Sequence, residues 1–474
     1  MARILILTSA SGAGHNRVAE ALAGAFSVRG NGAVQVTIAD PFAGADLPSK
    51  ITRLYGGTIK RAPWLWGLLY RISDHPRWEP ALAAPLERAV GGLLARQRPD
   101  LIVSVHPMCH GAALRALRRM DADIPVAVQV TDLLDVHAAW QSPEAALMLV
   151  PTAEAAGRVV ARGYPEERVY ALGLPVHEGF RSADGHNGHK VGLRCRLGLD
   201  PDRPTIMVTG GGEGAGPLEP AVRTIVRALP EAQMVVICGR NELLRRRLSA
   251  AGLPGRVLGF VEDMSHWMQA CDVVVAKAGA VTVAESVAAR RPILIMCALP
   301  GQEQGNLRFV LESGIGAHTP PGPALAGALR FLDGQGYQPA TWLENMARVD
   351  RPQAQERAAD LLLEMAGVGT RNRERGIGND PQIKGVTVRH GGFVYQVAEG
   401  RAWITHVIPR RGVSARQVTV GRARICHSEP GGGRMQVTTV RVRVFHVILS
   451  RSGGAYRATL AARQRRRRIS PFSN

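Results

Sequence analysis

At 474 residues and 46% hydrophobic, the chain is long enough for two cored domains and a tail, and no apolar run reaches the length of a bilayer span. Six scattered cysteines (Cys109, Cys195, Cys238, Cys271, Cys297, Cys426) form no CxxC pair or His/Cys ligand spacing, which excludes a disulfide framework and a structural zinc site. The formal charge of +20 is uneven: residues 371–474 hold 21 Lys and Arg against 4 Asp and Glu, while residues 1–370 hold 38 against 35.

The opening MARILILTSASGAGHN turns glycine-rich too soon for a signal peptide and reads as a buried first strand. From there to about residue 165, RILILT, VQVTIA, DLIVSV, PVAVQV and ALMLVP are strand candidates. Helical stretches lie between them, such as Arg17–Phe26 and Gly111–Met120. The scheme repeats over about 203–345 with TIMVTG, AQMVVICG, RVLGF, DVVVA and PILIMCA. Strand–helix alternation predicts α/β architecture: two Rossmann-like, doubly wound domains (1–170 and 203–366) facing a cleft. The polar, glycine-rich RSADGHNGHK marks a linker, 171–202. A last helix near Gln353–Met365 either closes the second domain or crosses back to the first. Beyond Ala366 the recurrent Arg and glycine clusters predict a basic tail, 367–474, that is disordered or an unrelated extension. A nucleic-acid-binding or anionic-lipid patch is the alternative there.

In open α/β sheets ligands gather outside the carboxyl ends of the strands. After the first strand comes SASGAGHN (Ser9 to Asn16), where Gly12 and Gly14 permit close backbone approach and His15 is a candidate general base. It is not a dinucleotide fingerprint, since His15 and Arg17 stand where a third glycine belongs. SVHPMCH brings His106, and QVTDLLDVH brings Asp132, toward the same edge; capping and turn chemistry are their plainer reading. Asp121 and Asp123 precede a strand, at the wrong end of the sheet for a metal, and no metal site is expected. TGGGEGAGP (Thr209 to Pro217) lets a diphosphate reach backbone amides but lacks the Lys and Ser/Thr of a P-loop.

Lys277 to Asn306 is the most informative stretch. It turns on Gly279, enters a helix with Thr282 and Glu285, and ends after the next strand in Gln302, Glu303, Gln304 and Asn306. Two neighbouring strand ends thus offer hydroxyl-binding groups, suited to a nucleotide ribose beside a sugar. Lys50 to Trp78 holds three of the seven tryptophans (Trp64, Trp66, Trp78), Tyr55, Tyr70 and six basic residues against Asp74. That composition fits interfacial binding to an anionic membrane; an ordinary core helix pair is the other reading.

In combination SASGAGHN, TGGGEGAGP, KAG…T…E and PGQEQGN resemble the GT-B glycosyltransferases, over about residues 1–366. The resemblance is to the group holding monogalactosyldiacylglycerol synthases, processive diacylglycerol glucosyltransferases and the lipid II-forming N-acetylglucosaminyltransferase. It implies UDP-glucose or UDP-galactose on the C-terminal domain and diacylglycerol or a related lipid on the N-terminal one, with no cofactor and no nucleic acid. By position, Glu285 would bind the ribose, Gln302, Glu303 and Gln304 the sugar, and Gly211, Gly212 and Gly214 the diphosphate. Phe260 and Val261 would edge the uracil. His15, with Asp132 as its rival, would deprotonate the acceptor in one inverting displacement. Ala280 and Val281 depart from the KxGPGT of the galactolipid enzymes toward the lipid II enzyme. The expected place of work is the cytoplasm, peripheral on the inner face of the cell membrane. A UDP-sugar epimerase of the same fold is the competing enzyme class, and nucleic-acid binding through the tail the non-enzymatic one.

Overall fold

The computed structural model divides into a unit of Met1–Thr370 and a second of Arg371–Asn474. It describes residues 1–9, 13–43, 57–59, 62–75, 79–181, 187–333 and 339–368, and six strands of the second unit.

The first unit holds two six-stranded parallel sheets. β1 (Ala2–Leu7), β2 (Val34–Ala39), β3 (Leu101–Ser104), β4 (Val126–Gln129), β5 (Leu147–Val150) and β6 (Val169–Ala171) lie in the order β2-β1-β3-β4-β5-β6. β7 (Thr205–Thr209), β8 (Gln233–Ile237), β9 (Gly255–Leu258), β10 (Val273–Lys277), β11 (Ile293–Cys297) and β12 (Gly316–His318) lie in the order β12-β11-β10-β7-β8-β9. β3, β4, β5, β7 and β8 are buried at every residue, because helices cover both faces of a parallel sheet. Strand order reverses between β1 and β3 in one sheet and between β7 and β10 in the other, and these switch points open the crevices where α/β folds bind ligands.

The expected strands are all present. The edge strands β6 (VYA) and β12 (GAH) were not anticipated, being three residues each without an apolar run. The first helix starts at Ala13, four residues before the expected Arg17, so His15 lies in its first turn. Within the expected linker a helix forms at Asn187–Arg196. It is anchored by buried Arg194, which donates to the Ala270 and Pro201 carbonyls and to Asp272 at 2.6–3.0 Å. The last helix, Ala354–Met365, crosses back: Asp360 takes two hydrogen bonds from Arg29 of the first helix at 2.5 and 2.6 Å. In the second unit, strands Val386–His390, Phe393–Ala398 and Arg401–Val407 pair antiparallel. Gln417–Ile425, Val440–Ser452 and Ala455–Ala462 form another antiparallel sheet. There VRVRV and its neighbours alternate branched apolar with basic residues, a period of two that suits a strand.

Candidate active site

At the switch point of the first sheet, three strand ends converge. His15, after β1, meets His106, after β3, edge to face with ring centroids 4.8 Å apart. Phe42 backs His106 at 5.0 Å. Burial pushes the His15 pKa down to about 4, partly offset by a hydrogen bond to the Val105 backbone. Its Nδ1 is buried and has no partner among the described residues, so the ring bond to Val105 runs through Nε2 and Nδ1 keeps a lone pair. His106 is driven well below the usual histidine value, first by burial and then by His15 and His110. It sits behind His15 rather than at an entrance.

Asp132 follows β4. Its carboxylate accepts the Trp140 indole N–H at 2.7 Å, and the Trp140 ring lies 6.1 Å from His15. Burial raises Asp132 to about 7 against the opposing pull of the Trp140 bond. A carboxyl group poised near neutrality and a neutral imidazole therefore flank one indole.

At the other switch point, the loop after β7 passes Lys277, the last residue of β10. Gly211 and Gly214 have φ of +69° and +58°, which only glycine adopts without strain. A Cβ on Gly212 would fall 2.6 Å from the Ala13 nitrogen, so this loop touches the start of the first helix. Gly14 faces Val281 in the same way, with a Cβ 3.3 Å from its methyl. Lys277 pairs with Glu303, whose second oxygen accepts from the Leu299 amide at 3.0 Å. Gly279 caps the helix Ala280–Ala288, and a Cβ there would approach Lys277, Thr282 and Glu303 within 3.4–3.9 Å. Glu285, on that helix and 1% exposed, takes Arg17 on both oxygens at 3.0 and 2.8 Å. Burial raises its pKa and Arg17 opposes the rise.

Phe260 is 46% exposed beneath the Arg240 guanidinium, 4.8 Å from the ring centre, and Arg240 reaches Glu213 of the glycine loop at 3.2 Å. Val261, beside it, packs against the core. Asn306 is committed to the backbone: its Oδ1 accepts from Leu133 and its Nδ2 donates to Ala278, at 3.1 and 3.0 Å. It ties the halves together. Gln304 is exposed at the start of helix Gln304–Glu312.

The helix Pro63–Ser73 lies against these loops. Trp66 donates to Gln302 Oε1 at 3.0 Å, and a Cβ on Gly67 would fall 2.5 Å from Pro300. The Tyr70 ring lies tilted against His137, with centroids 4.4 Å apart. The other face is open: Trp64 is 68% exposed, and Leu68, Leu69 and Ile72 are about half exposed. Gly12 and Trp78 lie outside the described residues. Sequence reading missed Arg17, Trp140 and Lys277; for Lys277 the signal was its place at the end of an apolar strand beside glycines. Among the described residues no helix is long and apolar enough to cross a membrane, and no His/Cys/Asp/Glu cluster is placed to hold a metal ion.

Residues 15–176 match the family Monogalactosyldiacylglycerol (MGDG) synthase, and residues 205–308 match the Glycosyltransferase family 28 C-terminal domain. The probable monogalactosyldiacylglycerol synthase 2, chloroplastic, of Oryza sativa subsp. japonica is 34% identical over 335 residues, 67% of this chain and 70% of that protein. Arabidopsis thaliana monogalactosyldiacylglycerol synthase 2, chloroplastic, matches at 34% with the same coverage. Among solved structures, Staphylococcus aureus MnaA with UDP (12% identity, 78% of this chain, 98% of that one) has a TM-score of 0.50. The Neisseria meningitidis UDP-GlcNAc 2-epimerase bound to UDP-GlcNAc (12%, 77% and 99%) also has a TM-score of 0.50. At such identity these two share the fold and nothing more, so the fold alone does not separate a transferase from an epimerase. The sequence match does: this GT-B chain belongs to the monogalactosyldiacylglycerol synthase family and is a glycosyltransferase.

Proposed function

We propose that the protein transfers a galactosyl group from UDP-galactose to diacylglycerol at a membrane surface, with inversion at the anomeric carbon. The observation that carries this reading is the helix Pro63–Ser73. One side touches the donor loop through Trp66 and Gln302, and the other presents Trp64, Leu68, Leu69 and Ile72 to the surroundings. Burying such half-exposed side chains in lipid would release roughly 1 kcal/mol each, a contribution to peripheral attachment. An acceptor emerging from the bilayer would then arrive beside the sugar.

The donor would lie along the second sheet's switch point. Glu285 would bind the ribose hydroxyls, the Gly210–Gly216 turn would offer amides to the diphosphate, and Phe260 and Val261 would edge the uracil. Gln302, Glu303 and Gln304 would read the sugar. Lys277, beside Gly211, would place a cation where the departing diphosphate gains charge.

The acceptor hydroxyl loses its proton as it attacks. His15 Nδ1 and the Asp132 carboxylate are the two bases the site offers. A base works best with a pKa near the operating pH, which favours Asp132 at about 7 over His15 at about 4 in the empty protein. His15, with its bare lone pair, would then accept the hydroxyl's hydrogen bond and aim it.

The test is incubation with labelled UDP-galactose or UDP-glucose and vesicles containing diacylglycerol, followed by lipid chromatography. Galactolipid as the main product is expected. Glucolipid would correct the donor, and epimerised nucleotide sugar without any labelled lipid would sink the transferase reading.

A further inference from the structure

The cleft holds an ion pair whose partners come from opposite halves, 268 residues apart in sequence. Arg17 lies one turn into the cleft-facing end of helix Ala13–Arg29, and Glu285 lies on helix Ala280–Ala288. The Glu285 side chain is 2% exposed and that of Arg17 19%. Both Glu285 oxygens are engaged by one guanidinium nitrogen, at 3.0 and 2.8 Å. The pair lines a cavity of about 290 Å³ together with Val281, Met264 and Asp263.

A ribose binds a carboxylate by giving its two neighbouring hydroxyls to the two oxygens, and here one guanidinium nitrogen already sits between both. We infer that Arg17 occupies the ribose seat in the empty enzyme, so that nucleotide binding exchanges the guanidinium for the 2′- and 3′-hydroxyls. This rests on Glu285 being the ribose carboxylate. Its logic is electrostatic: a carboxylate so deeply buried is costly without a partner, and Arg17 supplies one until the diol arrives. Donor affinity is therefore set partly by a residue that need not touch the donor. The exchange also releases a tie between the halves two residues after His15, so filling the donor site loosens the turn that carries a candidate base.

Titration calorimetry with uridine and with UDP tests this. Arg17→Gln is expected to tighten both by about tenfold, because a ligand's apparent affinity falls by the fraction of protein whose site is closed to it. Arg17→Lys keeps the charge with poorer geometry and should gain about threefold. Unchanged or weaker uridine binding by a folded Arg17→Gln protein overturns the inference. If that variant does not fold, unchanged or weaker binding by Arg17→Lys overturns it equally. 2′,3′-Dideoxy-UDP separates the two layers. If the native protein binds it as tightly as UDP, the ribose reading of Glu285 is lost. If UDP is preferred and the Arg17 variants gain nothing, only the seat-holding role is lost.

Discussion

The two halves of the first unit share a six-stranded parallel sheet and a switch-point crevice, yet they fill the crevice with opposite chemistry. The first half gathers His15, His106, His110 and Asp132, all held toward their neutral forms by burial. The second gathers charges in pairs, Lys277 with Glu303 and Glu285 with an arginine borrowed from the first half. Neutral titratable groups suit moving a proton from a hydroxyl; paired charges suit holding a nucleotide whose diphosphate departs. On the proposed function, one scaffold would serve two tasks through what stands at its strand ends.

The largest effect that could break this contrast is expected at the bases. Asp132→Asn or His15→Ala should cut kcat by about 10²–10⁴-fold while UDP affinity, by calorimetry, stays within error. Full turnover in either variant removes that residue from proton transfer. The pH profile sharpens the choice. With Asp132 as base, kcat/KM falls as pH drops below about 7 and the carboxylate is protonated; with His15, activity holds until near 4. A low-pH limb that survives Asp132→Asn would point away from Asp132.

On the second half, Glu285→Ala should weaken UDP binding by about 10–100-fold, the loss of hydrogen bonds to a charged group, with little change in kcat at saturation. An equal fall in kcat would move Glu285 from donor binding to chemistry. Smaller again is the effect of the combined change Trp64→Ser, Leu68→Ser and Ile72→Ser. Sedimentation with anionic vesicles should fall about tenfold, while the melting temperature holds because these side chains are exposed. Undiminished vesicle binding would detach the helix from the membrane. Asn306→Ala should cost about 1–3 kcal/mol of stability by leaving the Leu133 and Ala278 backbone groups unpaired, measured by urea unfolding.

Much of the architecture could be read from the chain, because both sheets are parallel and doubly covered and their strands announce themselves as Val/Ile/Leu runs. The strand-end motifs placed His15, Asp132, Glu285 and Glu303 in the crevices. Edge strands such as Gly316–His318 escaped notice because exposure removes the apolar signal. What no local pattern carries is partnership across the cleft. Arg17 with Glu285 and Trp66 with Gln302 are separated by 268 and 236 residues, so neither periodicity nor motif spacing connects them. Asn306 is another case: its bonds to the Leu133 and Ala278 backbone join the halves, which a polar loop in the sequence does not reveal. Trp140, a core residue by composition, acquires a role only because its N–H meets a carboxylate.

Gly67 has no side chain because Pro300 occupies the space one would need. Gly67 lies on a helix of the first half and Pro300 in the loop after β11 of the second, so this contact joins the face proposed for lipid to the loop proposed for the sugar. Any opening of the cleft at this point would part Pro300 from Gly67 and break the Trp66–Gln302 bond together. On the proposed function, a side chain at this one position would disturb both substrate sites at once.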